Sequence, residues 1–381
     1  MDWFAERTVS KWIFREVEFP SMMELGDYGF ITGGDGSLSA LNDMKMTGTL
    51  NVDGGLPNEV NLLRVYYYCE NVLGESSGEI PVATFFPSVP EPLSRSTNDG
   101  RRVSGQINCT SMLSVLKDRM LHAELPVPKG TDIIPIVEGL LSESQVPYDI
   151  KSQTDYRVGR DRKYDEGQTY LEVINDLLGL ADFHAVWTDE YGTVIVEPYV
   201  NPLKTQSIFT FERGANAIHQ RDIPFSFNYR DTPTTIVGSY SAETYKIISV
   251  ADNIDPYSPS SLVNRGNRRK EEFHQIDELE GTTKQAQIEE VARKTLSTLK
   301  ANSQDIHHYE ITHLFVPEVR PNRVITIKDQ DIDFVGAVTN VTINFNTNAM
   351  CTTKSRSIVK YELAVNQSTE FYGDFQIDGG E

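Results

Sequence analysis

Cysteine is scarce in this chain. Cys69, Cys109 and Cys351 stand far apart and no CxxC pair occurs. So odd and sparse a count excludes a disulfide framework and fits free thiols in a reducing compartment. Long apolar runs are missing as well, and nothing approaches the ~20 residues a transmembrane helix needs. The opening MDWFAERTVSKW carries charges where a secretory signal would be apolar. Positive charge is also short, with 35 Lys and Arg against 55 Asp and Glu, a formal net charge of −20. That balance excludes docking on DNA phosphates, which needs a basic footprint. It also excludes binding to an anionic membrane surface by this chain alone. The expected product is soluble and made in a cytoplasm.

What is present points to β structure. Seventeen Tyr and seventeen Phe accompany many Val, Ile and Thr in 381 residues, enough for two or three domains. The best-organised stretch is Asp165–Val200, DEGQTYLEVINDLLGLADFHAVWTDEYGTVIVEPYV. Thr169 and Glu172 form a capping-box pair at a helix start. Leu171, Ile174, Leu177 and Leu178 follow at helical spacing; Gly179 is a plausible stop, with Leu180 and Ala181 able to extend the last turn. Two β-like runs, Phe183–Trp187 and Thr193–Glu197, flank a turn in which Gly192 supplies the positive φ of a tight hairpin. This unit reads as a scaffold joint.

Along the chain, residues 1–20 read as an edge strand and ITGGDGS, within the Gly-rich 21–40, as a loop. MKMTGTLNV, LLRVYYYCENV and EIPVATFFP form a β-meander, with Tyr66, Tyr67 and Tyr68 alternating between buried and exposed. Residues 87–101 are a polar loop. Helices are expected over Thr110–Leu121 and Asp132–Ser144, the latter with Ile133, Ile136, Val137, Leu140 and Leu141 on one face. β-like runs resume at Ser207. They are interrupted by an amphipathic helix over 282–300 with a Thr282/Gln285 capping box, and the chain closes on an acidic tail, 366–381.

The chemistry-bearing constellations are weak. Asp329, Asp331 and Asp333 alternate like a calcium loop, but Phe334 and Asn340 stand where an EF-hand needs Gly and Glu. They read as three carboxylates on one projecting hairpin loop. His307, His308 and His313 lack metal-ligand spacing, and Ser114 with Lys117 is an isolated S-x-x-K match. Arg265, Arg268, Arg269 and Lys270 form the compact basic cluster of an acidic chain. Two readings stand for it: a solvated loop neutralising Asp252, Asp255 or the EEF segment, or charge-assisted bonds across a subunit interface. No nucleophile–base pair, paired acid site or cofactor cradle emerges. No catalytic, cofactor or metal residue is therefore assigned, and the chain is expected not to be an enzyme.

The order of segments carries a resemblance. A first β domain and a helix pair precede GQTYLEVINDLLGLADFHAVWTDEYGTVIVEPY; then come VADNIDPYSPSSLVNRGNRR, the helix with EEVARKTLSTL, and HLFVPEVRPNRVITI. Together, over roughly residues 40–365, this resembles the tail hub or baseplate hub proteins of tailed bacteriophages. These include the hub of T-even baseplates and the N-terminal part of siphophage tail-tip proteins. The resemblance implies an α+β, β-rich fold with two small β-barrel hub domains and an α+β middle region. Residues 1–105 would be the first barrel, 106–202 the middle domain and 203–365 the second barrel, with 366–381 as tail.

The resemblance further implies a homotrimeric ring of pseudo-sixfold symmetry in the virion, assembled in the host bacterial cytoplasm. Its partners would be a tail tube or distal tail protein, a distal tip, spike or fibre protein, and the tape measure protein. DNA would pass only in transit, past an acidic lumen that repels its phosphates. Some relatives carry a peptidase or lysozyme domain after the hub, and this chain is expected to be a hub alone. The rival classes are a host-binding tip adhesin, which would bind cells, and a cell-wall hydrolase, which would be active in isolation.

Overall fold

The computed structural model describes residues 1–58, 60–88, 94–95, 103–152, 156–227, 231–277, 279, 281, 283–304, 307–329, 331–358 and 363–373. In chain order the elements begin with β1 (Arg7–Val17), β2 (Glu24–Asp27), β3 (Ile31–Ser39), β4 (Met46–Asp53), β5 (Leu62–Asn71), β6 (Ile80–Ser88), β7 (Ser94–Arg95) and β8 (Val103–Thr110). Then come α1 (Leu113–Asp118), β9 (Leu125–Val127), α2 (Ile133–Glu143), β10 (Tyr148–Ile150), β11 (Arg162–Tyr164), α3 (Tyr170–Leu180), β12 (Trp187–Thr188) and β13 (Val194–Val196). Next are β14 (Phe209–Glu212), β15 (Phe225–Phe227), β16 (Thr235–Ser241), β17 (Tyr245–Asn253), β18 (Glu271–Gln275) and α4 (Lys284–Gln304). The last are β19 (His307–Leu314), β20 (Val324–Asp329), β21 (Ile332–Asn344), β22 (Met350–Ser357) and β23 (Val365–Gly373).

Strand is the dominant element and helix the minority, so the fold is α+β and β-rich. Two compact units form, each from two stretches of chain: 1–223 with 310–355, and 224–309 with 356–381. In the first unit the strand order runs β22-β21-β3-β4-β8-β6-β5-β1-β2, with β20 paired to β21 and β14 to β20. Among the described residues this path does not close into a barrel.

Three expectations for this sheet change. ITGGDGS is not a loop but the body of β3, antiparallel to both β4 and β21. Its glycines serve close approach: a Cβ on Gly34 would lie 2.2 Å from the Thr49 carbonyl oxygen, and one on Gly36 would lie 2.8 Å from the Phe345 ring. Arg7–Val17 pairs with β5 along its length and is an edge only in part, because β2 covers its end, Arg15–Val17, on the other side. Tyr66 and Tyr67 are both buried, without the expected alternation, because both faces of β5 are covered. One face holds an aromatic cluster in which Trp12 meets Phe345 edge-on at 5.1 Å and Tyr67 meets Phe315 at 4.8 Å.

The helices of this unit form where the periodicity places them. Asp132 caps α2 by accepting from the Ile134 amide, and the helix buries Ile133, Ile134, Val137, Leu140 and Leu141. Each such burial contributes roughly 1.5–3 kcal/mol. Helix α3 carries both halves of the Thr169–Glu172 capping box and runs one residue past Gly179, to Leu180. Helix α1 is shorter than its apolar pattern. Their apolar faces share one core with Val17, Leu62, Val194 and Val196.

In the second unit, β18-β16-β17-β23 form a four-stranded sheet, and β15 pairs with His307–Tyr309 of β19. Helix α4 packs on the four-stranded sheet through Val291 and Leu299, against Ile247 and Ile236. The Thr283 hydroxyl accepts from the Ala286 amide at 3.2 Å; Thr282 of the expected capping box lies outside the described residues. Part of the segment read as a tail, Asn366–Gly373, belongs to β23 and pairs with Tyr245–Asp252 of β17. Its residues alternate between half-buried and exposed as far as Tyr372, as in a strand covered on one face.

Candidate functional site

The helix-and-hairpin joint of the first unit is locked by its turn. Asp189 Oδ1 accepts from the amides of Tyr191 at 3.0 Å and Thr193 at 2.8 Å, while Gly192 sits at φ +85°. The tip it shapes lies against β5 and β6. Thr84 Oγ1 donates to the Glu190 carbonyl at 2.7 Å, and the Arg64 guanidinium donates to the Tyr191 carbonyl at 3.1 Å. Arg64, 5% exposed, also donates to Thr84 Oγ1 at 3.2 Å and Glu24 Oε1 at 2.9 Å. Burial would raise the Glu24 carboxyl, but hydrogen bonds from Tyr66 and Arg64 outweigh it and hold its pKa below the usual range. A fixed, charged network thus ties β2 and β5 to the hairpin. Its chemistry is structural.

Beside the joint lies a cavity of about 210 Å³. Leu38, Met46 and Thr188 form its buried floor, with Trp187 on a wall; Val200, Asn322 and Arg323 are exposed at its mouth. Lys45 and Asn322, both on its lining, hold left-handed backbone at φ 52° and 64°. The half-buried Lys45 ammonium donates to the Ala40 carbonyl at 2.7 Å, and burial lowers its pKa. Burial also lowers the His184 ring, opposed by Glu197 and assisted by Lys45. Glu197 accepts from Trp187 Nε1 at 3.0 Å.

The residues singled out in the sequence fall elsewhere. Arg269 donates to Asp252 at 2.8 Å and lies 3.5 Å from Glu271, so its charge is used inside the second unit. Arg268 is exposed, and Arg265 is half-buried. Asp329 does not belong to a projecting acidic loop. It is 7% exposed, at the end of β20, 3.2 Å from Arg213 and 3.6 Å from His219 Nε2; Asp331 and Asp333 stay on the surface. The three carboxylates part because Asp329 is on the inward-facing side of its strand. His313 is buried between the Leu314 carbonyl, 2.7 Å from Nδ1, and Thr353 Oγ1, 2.8 Å from Nε2. A carbonyl only accepts, so Nδ1 carries the proton and Nε2 accepts from Thr353. Ser114 is spent on the Ser111 carbonyl at 2.9 Å. Among the described residues no cluster of His, Cys, Asp and Glu is placed to hold a metal ion, and no helix is long and apolar enough to cross a membrane.

Sequence reasoning missed both Arg64 and the cavity. Arg64 carried a signal, a lone cation inside the apolar run LLRVYYY. The cavity carried none, since three distant segments build it.

No family model and no curated protein matches the sequence. Solved structures do. A tail protein from Neisseria meningitidis MC58 is similar over 91% of this chain and 97% of its own, with a TM-score of 0.65 at 11% identity. This chain shares the fold of that tail protein. The 43 kDa tail protein of prophage MuSo2 from Shewanella oneidensis gives a TM-score of 0.60 at 10% identity, covering 91% of this chain and 98% of its own. The prophage tail protein gp18 from Listeria monocytogenes EGD-e gives 0.51 at 10% identity, covering 92% and 95%. The likeness to these tail proteins covers nearly the whole chain.

Proposed function

We propose that this chain is a structural component of a phage tail tip or baseplate. It acts as a homotrimeric ring of pseudo-sixfold symmetry that joins the hexameric tail tube to the distal tip and leaves a channel for DNA. The observation that carries the reading is the near end-to-end correspondence with tail proteins, at TM-scores of 0.65 and 0.60. In this reading the β-rich stretches 1–105 and 203–365 supply the two barrel-like portions of each subunit, and 106–202 braces them from outside. Free strand edges support assembly: β18 pairs with β16 on one side, and all five of its residues are exposed. An unpaired edge is a template for a neighbouring strand, and closure into a ring removes it.

Arg268, exposed and beside a cluster otherwise used internally, is the cation offered to a neighbouring subunit. Part of the −20 charge per chain lines the channel, where it repels passing phosphates. The flanking partners are a tube or distal tail protein above, a tip, spike or fibre protein below, and the tape measure protein within. Native mass measurement of the purified protein tests the reading. A ring of three gives about 129 kDa, three times 42.9 kDa, with a central hole in negative-stain images. A monomer that cleaves cell wall, or one that binds host cells by itself, overturns it.

A further inference from the structure

We propose that the cavity beside the joint is a receptor for a short apolar carboxylate, an aromatic or aliphatic side chain ending in or adjoining a carboxylate, presented by a partner polypeptide. The polypeptide source rests on the assembly reading above; the chemistry of the site does not.

The walls select an apolar body. Leu38, Met46 and Trp187 line a space of about 210 Å³. A cavity of about 150 Å³ holds a benzene ring, so this one takes a ring together with a carboxylate. The charges select an anion. The lining sets three cations, Lys45, Arg320 and Arg323, against one carboxylate, Glu197, which accepts from Trp187 Nε1; Arg320 is paired with Glu190 at 3.6 Å, and burial favours a neutral His184. Among the described residues, neither Lys45 nor Arg323 has a carboxylate at ion-pair distance; the exposed Asp43 acts on the half-buried Lys45 ammonium through space, and burial outweighs it. A desolvated ammonium is costly unless an anion joins it. Arg323 at the mouth adds a planar fork suited to a carboxylate. This local positive charge stands in a chain of −20, so an anion is held here by contact and not drawn by the field of the whole molecule.

The test is calorimetric titration of the full chain with N-acetylphenylalanine, which has a free carboxylate and an aromatic ring, and with its amide. The acid is expected to bind saturably and the amide at least tenfold more weakly. Lys45→Met and Arg323→Gln should each weaken the acid about tenfold or more, while Ser114→Ala should not. Arg323 is exposed, so its variant keeps the fold even if Lys45→Met does not. Equal binding of acid and amide, or an unchanged Arg323→Gln, overturns the site. Binding of phenylacetate with none of N-acetylphenylalanine overturns the polypeptide source. Native mass is read on the same samples: a monomer that binds the acid sinks the ring and leaves the site, whereas a trimer that binds neither ligand sinks the site alone.

Discussion

The Arg64 guanidinium donates to the Tyr191 carbonyl oxygen across 127 positions of sequence, at 3.1 Å. One planar group thereby holds the hairpin tip, Glu24 of β2 and Thr84 of β6 at once. Arg64→Met should destabilise the first unit by about 3–5 kcal/mol, because the partners of a buried charge are left behind. Arg64→Lys should recover only part of the loss, since a point charge cannot serve three acceptors in one plane. Denaturant unfolding followed by circular dichroism measures both. An Arg64→Lys variant as stable as the parent would show that charge, and not the fork, is what matters.

Gly238 tests the packing of α4. A Cβ there would lie 1.9 Å from Thr295 Oγ1, and that hydroxyl is itself held by the Val291 carbonyl at 2.7 Å. Gly238→Ala should lift the helix and cost about 1–3 kcal/mol. Adding Thr295→Ala should return part of that cost, a coupling that a double-mutant cycle reads in thermal unfolding. Strict additivity would mean the helix sits further from the sheet.

His313 makes stability depend on pH. Burial lowers its pKa from 6.5 to about 4, so the folded state holds the neutral ring that the unfolded state protonates first. The unfolded chain binds the extra proton, so this contribution is full above pH 6.5 and is lost as pH falls from there to about 4. The whole effect is about 3 kcal/mol at ~1.4 kcal/mol per pH unit. The measurement is unfolding free energy against pH for the parent and for His313→Gln, whose slope between pH 4 and 6.5 should be shallower. Parallel curves would place the titration elsewhere.

The acidic triplet should split by position. Asp329→Ala strips Arg213 and His219 of a buried partner and should cost about 1–3 kcal/mol. Asp331→Ala and Asp333→Ala, on the surface, should stay within about 0.5 kcal/mol of the parent. Thermal melts of the three variants decide it, and equal effects would restore the single projecting loop.

Local sequence determined local structure. Thr169 and Glu172 close a capping box within one turn, Asp132 caps its own helix, and Gly192 turns its own hairpin, all with partners a few residues away. The order of such elements also sufficed for the resemblance to tail hubs, and the tail-protein fold agrees with it. What the sequence could not contain were relations set by distant chain. ITGGDGS reads as a loop by composition and becomes a strand because β4 and β21 close on it, leaving no room for side chains. Asp329 reads like its neighbours and differs because Arg213 and His219 arrive from elsewhere. Lys45, Trp187 and Arg323 share no local pattern at all, and only the packed sheet makes them one cavity. Turns and caps are decided by short-range hydrogen bonds, whereas burial and charge pairing are decided by whatever the tertiary fold lays alongside.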